Sequence, residues 1–149
     1  MGFFQALNNS ASGLTAERLR MDIASSNMAN VDTTRGKMVN GKWEPYRRKM
    51  VVMEPNNTFQ SVLNSSLKPA QQGGNGVKVT AIVEDQTPFK LVYDPDSPDA
   101  DQNGYVRMPN VDPLKEMVDL MSANRSYEAN VTALNAAKGM YLKALEIGR

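Results

Sequence analysis

Four aspartates crowd one short segment and are the first residues that could do chemistry: Asp94, Asp96, Asp99 and Asp101. Closely spaced carboxylates are the ligands that Ca²⁺ prefers, as in the EF-hand loop with its invariant glycine and its final glutamate. In this segment Pro98 and Asp99 occupy positions where that loop needs an Asx residue and the glycine. The pattern therefore favours a turn rich in proline and aspartate over a calcium site.

Six basic residues with aromatic side chains among them form a second candidate site: Arg35, Lys37, Lys42, Arg47, Arg48 and Lys49, with Trp43 and Tyr46. Basic grooves with aromatic side chains bind single-stranded nucleic acids through the phosphates and by base stacking. This chain is close to neutral, with 17 basic and 16 acidic residues, and no RNA- or DNA-binding motif accompanies the cluster. We therefore expect an exposed charged hairpin and no nucleic acid among the partners.

Several of the usual catalytic side chains are missing. The chain has no cysteine and no histidine, which excludes disulfides, thiolate ligands and the Ser-His-Asp and Cys-His nucleophile sets. Gly73-Gly74-Asn75-Gly76 is glycine-rich, but it lacks the strand, the lysine and the helix of a phosphate-binding loop. These features predict a protein that is not an enzyme, with no cofactor and no metal.

The length of 149 residues corresponds to one domain. Mean hydropathy is −0.46, and no run approaches the roughly 18 apolar residues of a membrane span. The first residues lack the features of a secretory signal, and Ala6 stands where N-myristoylation needs Ser or Thr. We expect no direct membrane insertion, and either a cytosolic protein or one exported without a cleaved signal peptide.

Two long helices are predicted at the ends of the chain, over residues 3–30 and 113–147. Asp112 can cap the second helix, Pro113 suits its first position, and Gly148 suits its C-terminal cap. Gly13 costs about 1 kcal/mol relative to alanine in the first helix, which indicates close approach by another backbone. The first seam has spacings of three and four residues and contains Phe4, Leu7, Ala11, Leu14, Met21 and Met28, with Arg18 and Ser25 as polar interruptions. The second contains Leu120, Asn124, Tyr127, Val131, Leu134, Lys138, Tyr141 and Leu145, with Leu114, Met117 and Met121 upstream.

The residues between the helices are typical of short strands and turns, and Asn40-Gly41 is a strong hairpin signal. Strands are predicted at residues 35–39, 42–53, 77–83, 90–93 and 105–108, with a polar linker at 54–76 and a turn at 94–104. The predicted organisation is a discontinuous terminal-helix coiled-coil domain, residues 1–34 and 109–149, around a small β-hairpin and loop module, residues 35–108.

The predicted fold class is mostly α with a small β-rich insertion, in which the long terminal helices pair as a coiled coil. Their seams could form the core of a monomeric helical hairpin, because periodicity does not reveal partners. Alternatively they pack against other subunits, since the second helix would span roughly 50 Å, against a radius of gyration of about 15 Å for a compact chain of this size. Asn124 on the seam either fixes the register of a coiled coil or is a plain surface residue.

Two segments at opposite ends of the chain resemble the flagellar axial proteins, which build the rod and hook of bacteria. Residues 14–36 contain Ala29-Asn30-Val31-Asp32-Thr33 and then Gly36, similar to that family's Ala-Asn-x-(Asn/Asp)-Thr core. The family usually has an aromatic residue after this glycine, and this chain has Lys37. Residues 110–130, which begin Asn-Val-Asp-Pro, are similar to the C-terminal helix of rod and hook proteins.

The resemblance implies a structural subunit of the proximal rod of the flagellar basal body, which polymerises through its terminal helices into a torque-transmitting shaft. It implies export across the cytoplasmic membrane by the flagellar type III apparatus, and terminal helices that become ordered on assembly. The implied partners are copies of itself, other rod proteins, basal-body base and ring proteins, and the export apparatus. A soluble coiled-coil adaptor or export chaperone is the alternative, and it would form a stable small oligomer alone.

Two sets of residues are expected to contact other subunits. The polymerisation interface is expected at Leu7, Leu14, Met21, Met28, Asn30, Leu120, Asn124, Tyr127, Val131, Leu134, Tyr141 and Leu145. Charged intersubunit contacts are expected at Arg47, Arg48, Lys49, Asp96, Asp99 and Asp101. In a helical polymer, opposite charges on one subunit can meet those of its neighbours and set register and orientation.

Overall fold

Two long helices flank a series of short strands along the chain. The computed structural model describes residues 3–56 and 76–147. The elements are α1 (Phe3–Ala29), β1 (Lys37–Val39), β2 (Lys42–Glu44), β3 (Lys49–Pro55), β4 (Val77–Glu84), β5 (Lys90–Tyr93), β6 (Tyr105–Met108) and α2 (Pro113–Ile147). The prediction of terminal helices around a small β-rich region is confirmed. Most of the predicted linker, with its glycine run, and the predicted cap at Gly148 lie outside the described residues.

Capping chemistry fixes the start of α2. The Asp112 carboxylate accepts a hydrogen bond from the Leu114 backbone N–H at 3.1 Å, and the Asp112 carbonyl accepts one from the Glu116 N–H at 3.0 Å. The first bond satisfies an N–H group that has no partner within the helix, and the second is the first i to i−4 hydrogen bond of α2. The predicted start at Asp112-Pro113 is therefore confirmed.

The end of α1 is secured by side chains that follow it. Asn30 Nδ2 donates to the Ser26 carbonyl at 2.8 Å, and the Thr33 hydroxyl donates to Asn30 Oδ1 at 3.2 Å. Carbonyls in the last turn of a helix need such partners. Asn30, which lies in the segment that resembles the flagellar family, thus turns the chain out of α1.

The β1–β2 hairpin closes at the predicted Asn40-Gly41 turn. The φ angles are 51° at Asn40 and 76° at Gly41, and a two-residue turn of this type needs positive φ at both positions. Cross-strand pairs include Lys37 with Glu44 and Met38 with Trp43. The side chains of Met38 and Trp43 are both exposed on this hairpin.

The predicted strand over residues 42–53 is wrong as one continuous strand. The chain leaves the ladder after Glu44, and β3 begins only at Lys49. Pro45 has no N–H to donate, so a proline at this position ends the pairing with β1. β3 then pairs with β4, and the strands predicted at 77–83, 90–93 and 105–108 are confirmed to within one residue.

Val106 is the one buried residue of the β5–β6 ribbon. Val92 pairs with Val106 and Tyr93 pairs with Tyr105 in antiparallel register. Val106 is buried, whereas Tyr93 and Tyr105 are exposed and their rings lie edge to face at 5.3 Å. Between the strands, Gly104 has a φ of 77°, which favours glycine.

The chain divides into two compact units, and each combines segments from both ends. Unit 1 consists of Met1–Leu19, Val52–Ala81 and Ala123–Arg149, and unit 2 consists of Arg20–Val51 and Ile82–Ser122. The predicted discontinuous helical domain and its β-hairpin module stay a prediction.

In unit 1, α1 and α2 approach each other at small residues. A Cβ atom added to Gly13 would lie 3.0 Å from Asn130 Nδ2, so the close neighbour that Gly13 predicts is a side chain and not a backbone. Three alanines on these helices are buried as well: Ala16 on α1, and Ala123 and Ala137 on α2. Small side chains at these positions let two helices pack closely.

Candidate functional site

The amide of Asn27 is the centre of a buried polar cluster in unit 2. Asn27 is 1% exposed, although it lies near the end of α1. Its Nδ2 donates to the Lys49 carbonyl at 2.8 Å and to Glu116 Oε2 at 2.9 Å. Its Oδ1 accepts from the Tyr46 hydroxyl at 3.0 Å and from the Lys49 N–H at 2.9 Å. All four hydrogen-bonding positions of this amide are therefore occupied.

Arg48 and Glu116 form the ionic part of this cluster. Arg48 Nε donates to Glu116 Oε1, and its Nη2 donates to Asp119 Oδ2 at 3.1 Å. Arg48 is 7% exposed and Glu116 is 1% exposed. A carboxylate this deeply buried needs a cation and further hydrogen bonds to offset its lost hydration. Arg48 supplies the cation and Asn27 supplies a further hydrogen bond. Through Glu116, these contacts join α1, the segment before β3, and α2 within unit 2.

Asn110 extends the cluster to the segment before α2. Its Oδ1 accepts from the Arg48 N–H at 2.8 Å. Its Nδ2 donates to the carbonyl of Asp85 at 3.1 Å and to the hydroxyl of Thr87 at 2.9 Å. This one side chain thus fixes three segments of unit 2. We name the set Asn27, Arg48, Asn110 and Glu116 the polar junction.

Asp85 borders the polar junction, and its carboxylate lies 3.8 Å from Arg48 Nη1. The backbone N–H of Thr87 donates to Asp85 Oδ1 at 2.9 Å. This bond is the main reason that the pKa of Asp85 lies below its ordinary value of 3.8, and the Thr87 hydroxyl and the charges of Arg48 and Lys115 lower it further. The folded state therefore favours ionised Asp85.

A pH dependence of stability follows from this lowered pKa. Because the pKa is lower in the folded than in the unfolded chain, the stabilisation is complete above pH 3.8 and is lost as the pH falls through the folded value. Asp85→Asn should flatten the acid limb of the free energy of unfolding measured against pH. Asp101→Asn, which changes an exposed loop residue, is the control. A steep acid limb that both variants share with the original chain would contradict this role.

The acidic loop, residues 94–101, is tied through one of its aspartates to the segment between α1 and β1. Asp99 accepts hydrogen bonds from the Thr34 hydroxyl at 2.8 Å and from Arg35. The bonds from Arg35 and Thr34 lower the pKa of Asp99, and Asp99 raises the pKa of Arg35. Asp96 and Asp101 are exposed. Within residues 3–56 and 76–147, no group of acidic side chains is arranged to hold a metal ion.

The structure separates the members of the predicted basic cluster. Arg48 is committed to the polar junction, and Arg35 to Asp99. Arg47 lies over the ring of Phe89 at 4.3 Å, Lys49 lies over the ring of Tyr46 at 5.5 Å, and Lys37 pairs with Glu84 at 3.5 Å. An intersubunit role for Arg48 or Asp99 has to compete with these contacts within the chain. The contacts that we expected at Arg47, Lys49, Asp96 and Asp101 stay predictions.

The predicted polymerisation residues lie on half-buried and exposed parts of the helices. The half-buried ones are Leu7, Leu14, Met21, Met28, Asn30, Leu120, Tyr127, Val131 and Leu134, and the exposed ones are Asn124, Tyr141 and Leu145. Asn124 Nδ2 donates to Glu128 Oε1 at 3.0 Å, one turn further along α2. In the single chain Asn124 is thus a surface residue, and its role in register stays a prediction.

An apolar stripe lies exposed on the first turns of α2. Leu114, Met117, Val118 and Met121 are 47–74% exposed, and their spacing puts them on one face of the helix. Glu116 and Ala123 on the opposite face are buried. We name these four residues the α2 stripe. Exposed apolar residues that are contiguous on a helix mark a surface for contact with another protein.

A second exposed apolar group lies at the far end of α2. Met140, Tyr141, Leu142, Leu145 and Ile147 are exposed there. They belong to unit 1, together with the first half of α1, where Phe4 is 73% exposed. Among the described helices, none combines the length and apolar character that crossing a membrane requires.

Comparison with known proteins decides the family. A family model described as "Flagella basal body rod protein" matches residues 7–36, and one described as "Flagellar basal body rod FlgEFG protein C-terminal" matches residues 102–147. The flagellar basal-body rod protein FlgC of Bacillus subtilis is 63% identical over the full length of both chains. The chain belongs to the FlgC family of flagellar basal-body rod proteins.

More distant FlgC proteins cover the chain equally well. FlgC of Salmonella typhimurium is 43% identical over the full length of both chains. FlgC of Borreliella burgdorferi is 42% identical over 99% of this chain and 98% of its own. The resemblance to the flagellar axial proteins is thereby confirmed, and the family is one of structural rod proteins, which disfavours the alternative of an adaptor or export chaperone.

The two segments that match the rod-protein models meet in unit 2 of this FlgC-family chain. Asn27 lies in the first matched segment and Glu116 in the second, and their side chains are joined by a bond of 2.9 Å. Arg48 lies between the segments in sequence and binds Glu116 as well. Sequence reasoning missed this junction, because asparagine and glutamate on a helix are ordinarily surface residues. Their membership of the resembling segments was the one signal that could have identified them.

Proposed function

We propose that this chain is a structural subunit of the proximal rod in the flagellar basal body, and that it acts mechanically. The observation that carries the proposal is the α2 stripe, Leu114, Met117, Val118 and Met121, which is exposed in the single chain opposite the buried face of the same helix. A polymer of subunits gives such a stripe a partner on every copy, whereas a monomer leaves it in water.

In this proposal the terminal helices polymerise as a coiled coil, and the half-buried seam residues repack between subunits. Leu14, Met21, Leu120 and Leu134 are half-buried in the single chain, so part of their apolar surface is available to neighbours. Many weak contacts of this kind along two helices transmit torque without any chemically active residue. The same account implies a protein without catalytic activity.

The proposed partners are copies of the chain, other rod proteins, basal-body base and ring proteins, and the flagellar export apparatus. Export would proceed without a cleaved signal peptide. The support for these finer points is membership of the FlgC family together with exposed apolar groups at Leu114–Met121 in unit 2 and Met140–Ile147 in unit 1.

The proposal is tested in cells whose own gene is deleted and replaced by a tagged copy. Purified basal bodies should contain the tagged chain in their rod fraction, and cells without any copy should build no rod and should not swim. The tagged chain should carry its original N-terminal residues when it is isolated from basal bodies. Complete basal bodies in cells without the gene would contradict the proposal.

A further inference from the structure

We propose that a pocket at the base of the β1–β2 hairpin binds the carboxylates of Asp96 and Asp101 from a second copy of the chain. The proposal rests on the proposed function, because it specifies one contact between subunits of the polymer. Pocket and acidic loop both belong to unit 2, so each copy carries both halves of the contact.

The pocket has a volume of about 120 Å³ and is lined by Lys37, Glu44, Tyr46, Arg47, Lys49 and Glu84, among others. One water molecule takes up about 30 Å³ in the liquid, so the pocket has room for a carboxylate with some of its water. Lys37 is already paired with Glu84 at 3.5 Å. The lining also holds the carboxylate of Glu44 and two further cations, Arg47 and Lys49, and a carboxylate ligand would bind at these two cations.

Arg47 is held in place by an aromatic ring. Its Cζ lies 4.3 Å from the centre of the Phe89 ring, and its one hydrogen bond, from Nη1 to the Asp85 carbonyl, is long at 3.5 Å. An arginine that stacks on a ring keeps the N–H groups at its edge free, and these groups match a carboxylate with two parallel bonds. Arg47 is thus oriented in advance for an acidic ligand.

Lys49 adds a second cation at the same pocket. Its ammonium lies 5.5 Å from the centre of the Tyr46 ring. In the part of the chain that the structure describes, no carboxylate oxygen lies within 4.0 Å of the side-chain nitrogens of Arg47 or Lys49. The neighbouring Arg48, in contrast, contacts three carboxylates. The two pocket cations are therefore available to a carboxylate from outside the chain.

The acidic loop has three exposed carboxylates, those of Asp94, Asp96 and Asp101, and its backbone is held by hydrogen bonds. The Asp94 N–H donates to the Gly104 carbonyl at 3.0 Å, and the Asp101 N–H donates to the Tyr105 carbonyl at 2.9 Å. Asp99 is anchored by Thr34 and Arg35. Asp96 and Asp101 have no cation within 4.0 Å among the described residues. A loop that is already ordered loses little conformational entropy on binding.

Charge complementarity identifies the second copy as the occupant. The pocket lining includes the carboxylates Glu44 and Glu84, and Glu84 is paired with Lys37, whereas Arg47 and Lys49 have no carboxylate partner among the described residues. The exposed aspartates of the loop have no cation partner there. A second copy of the chain offers each half its complement, and contacts of this type fix orientation. One exposed pair contributes little, so the contact needs both carboxylates and the pocket geometry that holds Arg47.

Cross-linking tests the contact directly, since the chain contains no cysteine. Cells are made to express two single variants together, Lys49→Cys and Asp96→Cys, and their basal bodies are oxidised. A disulfide-linked dimer with one chain of each variant is expected. Lys42→Cys in place of Lys49→Cys is the matched control, because Lys42 is exposed on the same hairpin but does not line the pocket. Equal cross-linking at Lys42 and Lys49 would overturn the proposal.

Charge exchange tests the same contact in basal bodies. Arg47→Glu with Lys49→Glu should lower the association of the chain with basal bodies kept at low salt about tenfold, and Asp96→Lys with Asp101→Lys should do the same. The variant that combines all four changes should associate again, because it reverses both sides. Unchanged association of both double variants, or none in the fourfold variant, would overturn the proposal.

Basal bodies that contain the chain without the Lys49–Asp96 cross-link would overturn this contact alone, whereas absence of the chain from basal bodies would contradict the rod function itself.

Discussion

Replacing Arg48 by methionine should lower the free energy of unfolding of the chain by about 3–5 kcal/mol, because it leaves a buried carboxylate without its cation. Glu116 is 1% exposed, so water cannot substitute for the guanidinium. Asn27 Nδ2 would remain the main partner of that carboxylate. The measurement is urea unfolding followed by the fluorescence of Trp43, the single tryptophan, which lies in unit 2 with the polar junction.

The next residue along the chain is the matched control. Arg47→Met removes a half-buried arginine whose contact is the ring of Phe89, and should cost about 1 kcal/mol or less. Adding Glu116→Gln to Arg48→Met should recover a large part of the lost stability, since glutamine is neutral and its carbonyl can still accept from Asn27. Equal losses for the two arginines, or no recovery in the double variant, would show that Glu116 does not depend on Arg48.

Val118→Glu should abolish swimming while it changes the stability of the isolated chain by no more than about 0.5 kcal/mol. Val118 is 59% exposed in the single chain, so the new carboxylate stays hydrated there. In the rod the same position would lie in an apolar contact, where an unpaired charge costs several kcal/mol. The measurements are the diameter of swimming colonies, the amount of exported chain, and urea unfolding of the purified variant.

Ser122→Glu is the control for this experiment. Ser122 is also exposed on α2; it lies one turn beyond Val118, and its direction is about 90° from the mean direction of the α2 stripe. This control introduces the same charge and should leave swimming intact. Normal swimming with Val118→Glu, or equal loss with both variants, would mean that the α2 stripe is not a contact surface.

Local chemistry explains why much of the fold was predictable. The start of α2 follows from the capping residue Asp112 and from Pro113, and the β1–β2 turn follows from Asn40-Gly41. Such signals act within a few residues of the chain, so they can be recognised without knowledge of the tertiary structure. The predicted strand over residues 42–53 is interrupted at Pro45, which has no N–H to donate to a neighbouring strand.

The existence of each helix was more predictable than which of its residues are buried. The apolar pattern selected Leu14, Met21 and Val131, yet these are half-buried, and the buried positions include Ala16, Ala24, Ala123 and Ala137. Alanine adds little to an apolar pattern, although its small side chain lets two helices approach closely. Periodicity therefore identified both helices, while tertiary packing decided which residues lie inside.

The polar junction was not predictable from residue type. Arg47, Arg48 and Lys49 are consecutive cations, and nothing in their types shows that Arg48 alone turns inward to Glu116. That choice depends on the distant residues Asn27 and Glu116, which lie 89 positions apart in the chain. A buried ion pair is decided by three-dimensional proximity, and a single sequence does not display it.

The most direct test of the rod function is hydrogen exchange on the isolated chain and on the same chain within purified basal bodies. Unit 1 contains the first half of α1 and the second half of α2, with Phe4, Met140 and Ile147 exposed. Backbone amides at residues 3–19 and 123–147 should exchange much faster in the isolated chain than in the rod, because assembly covers these helices and suppresses their local opening. Equally slow exchange of both segments in a proven monomer would contradict assembly through the terminal helices.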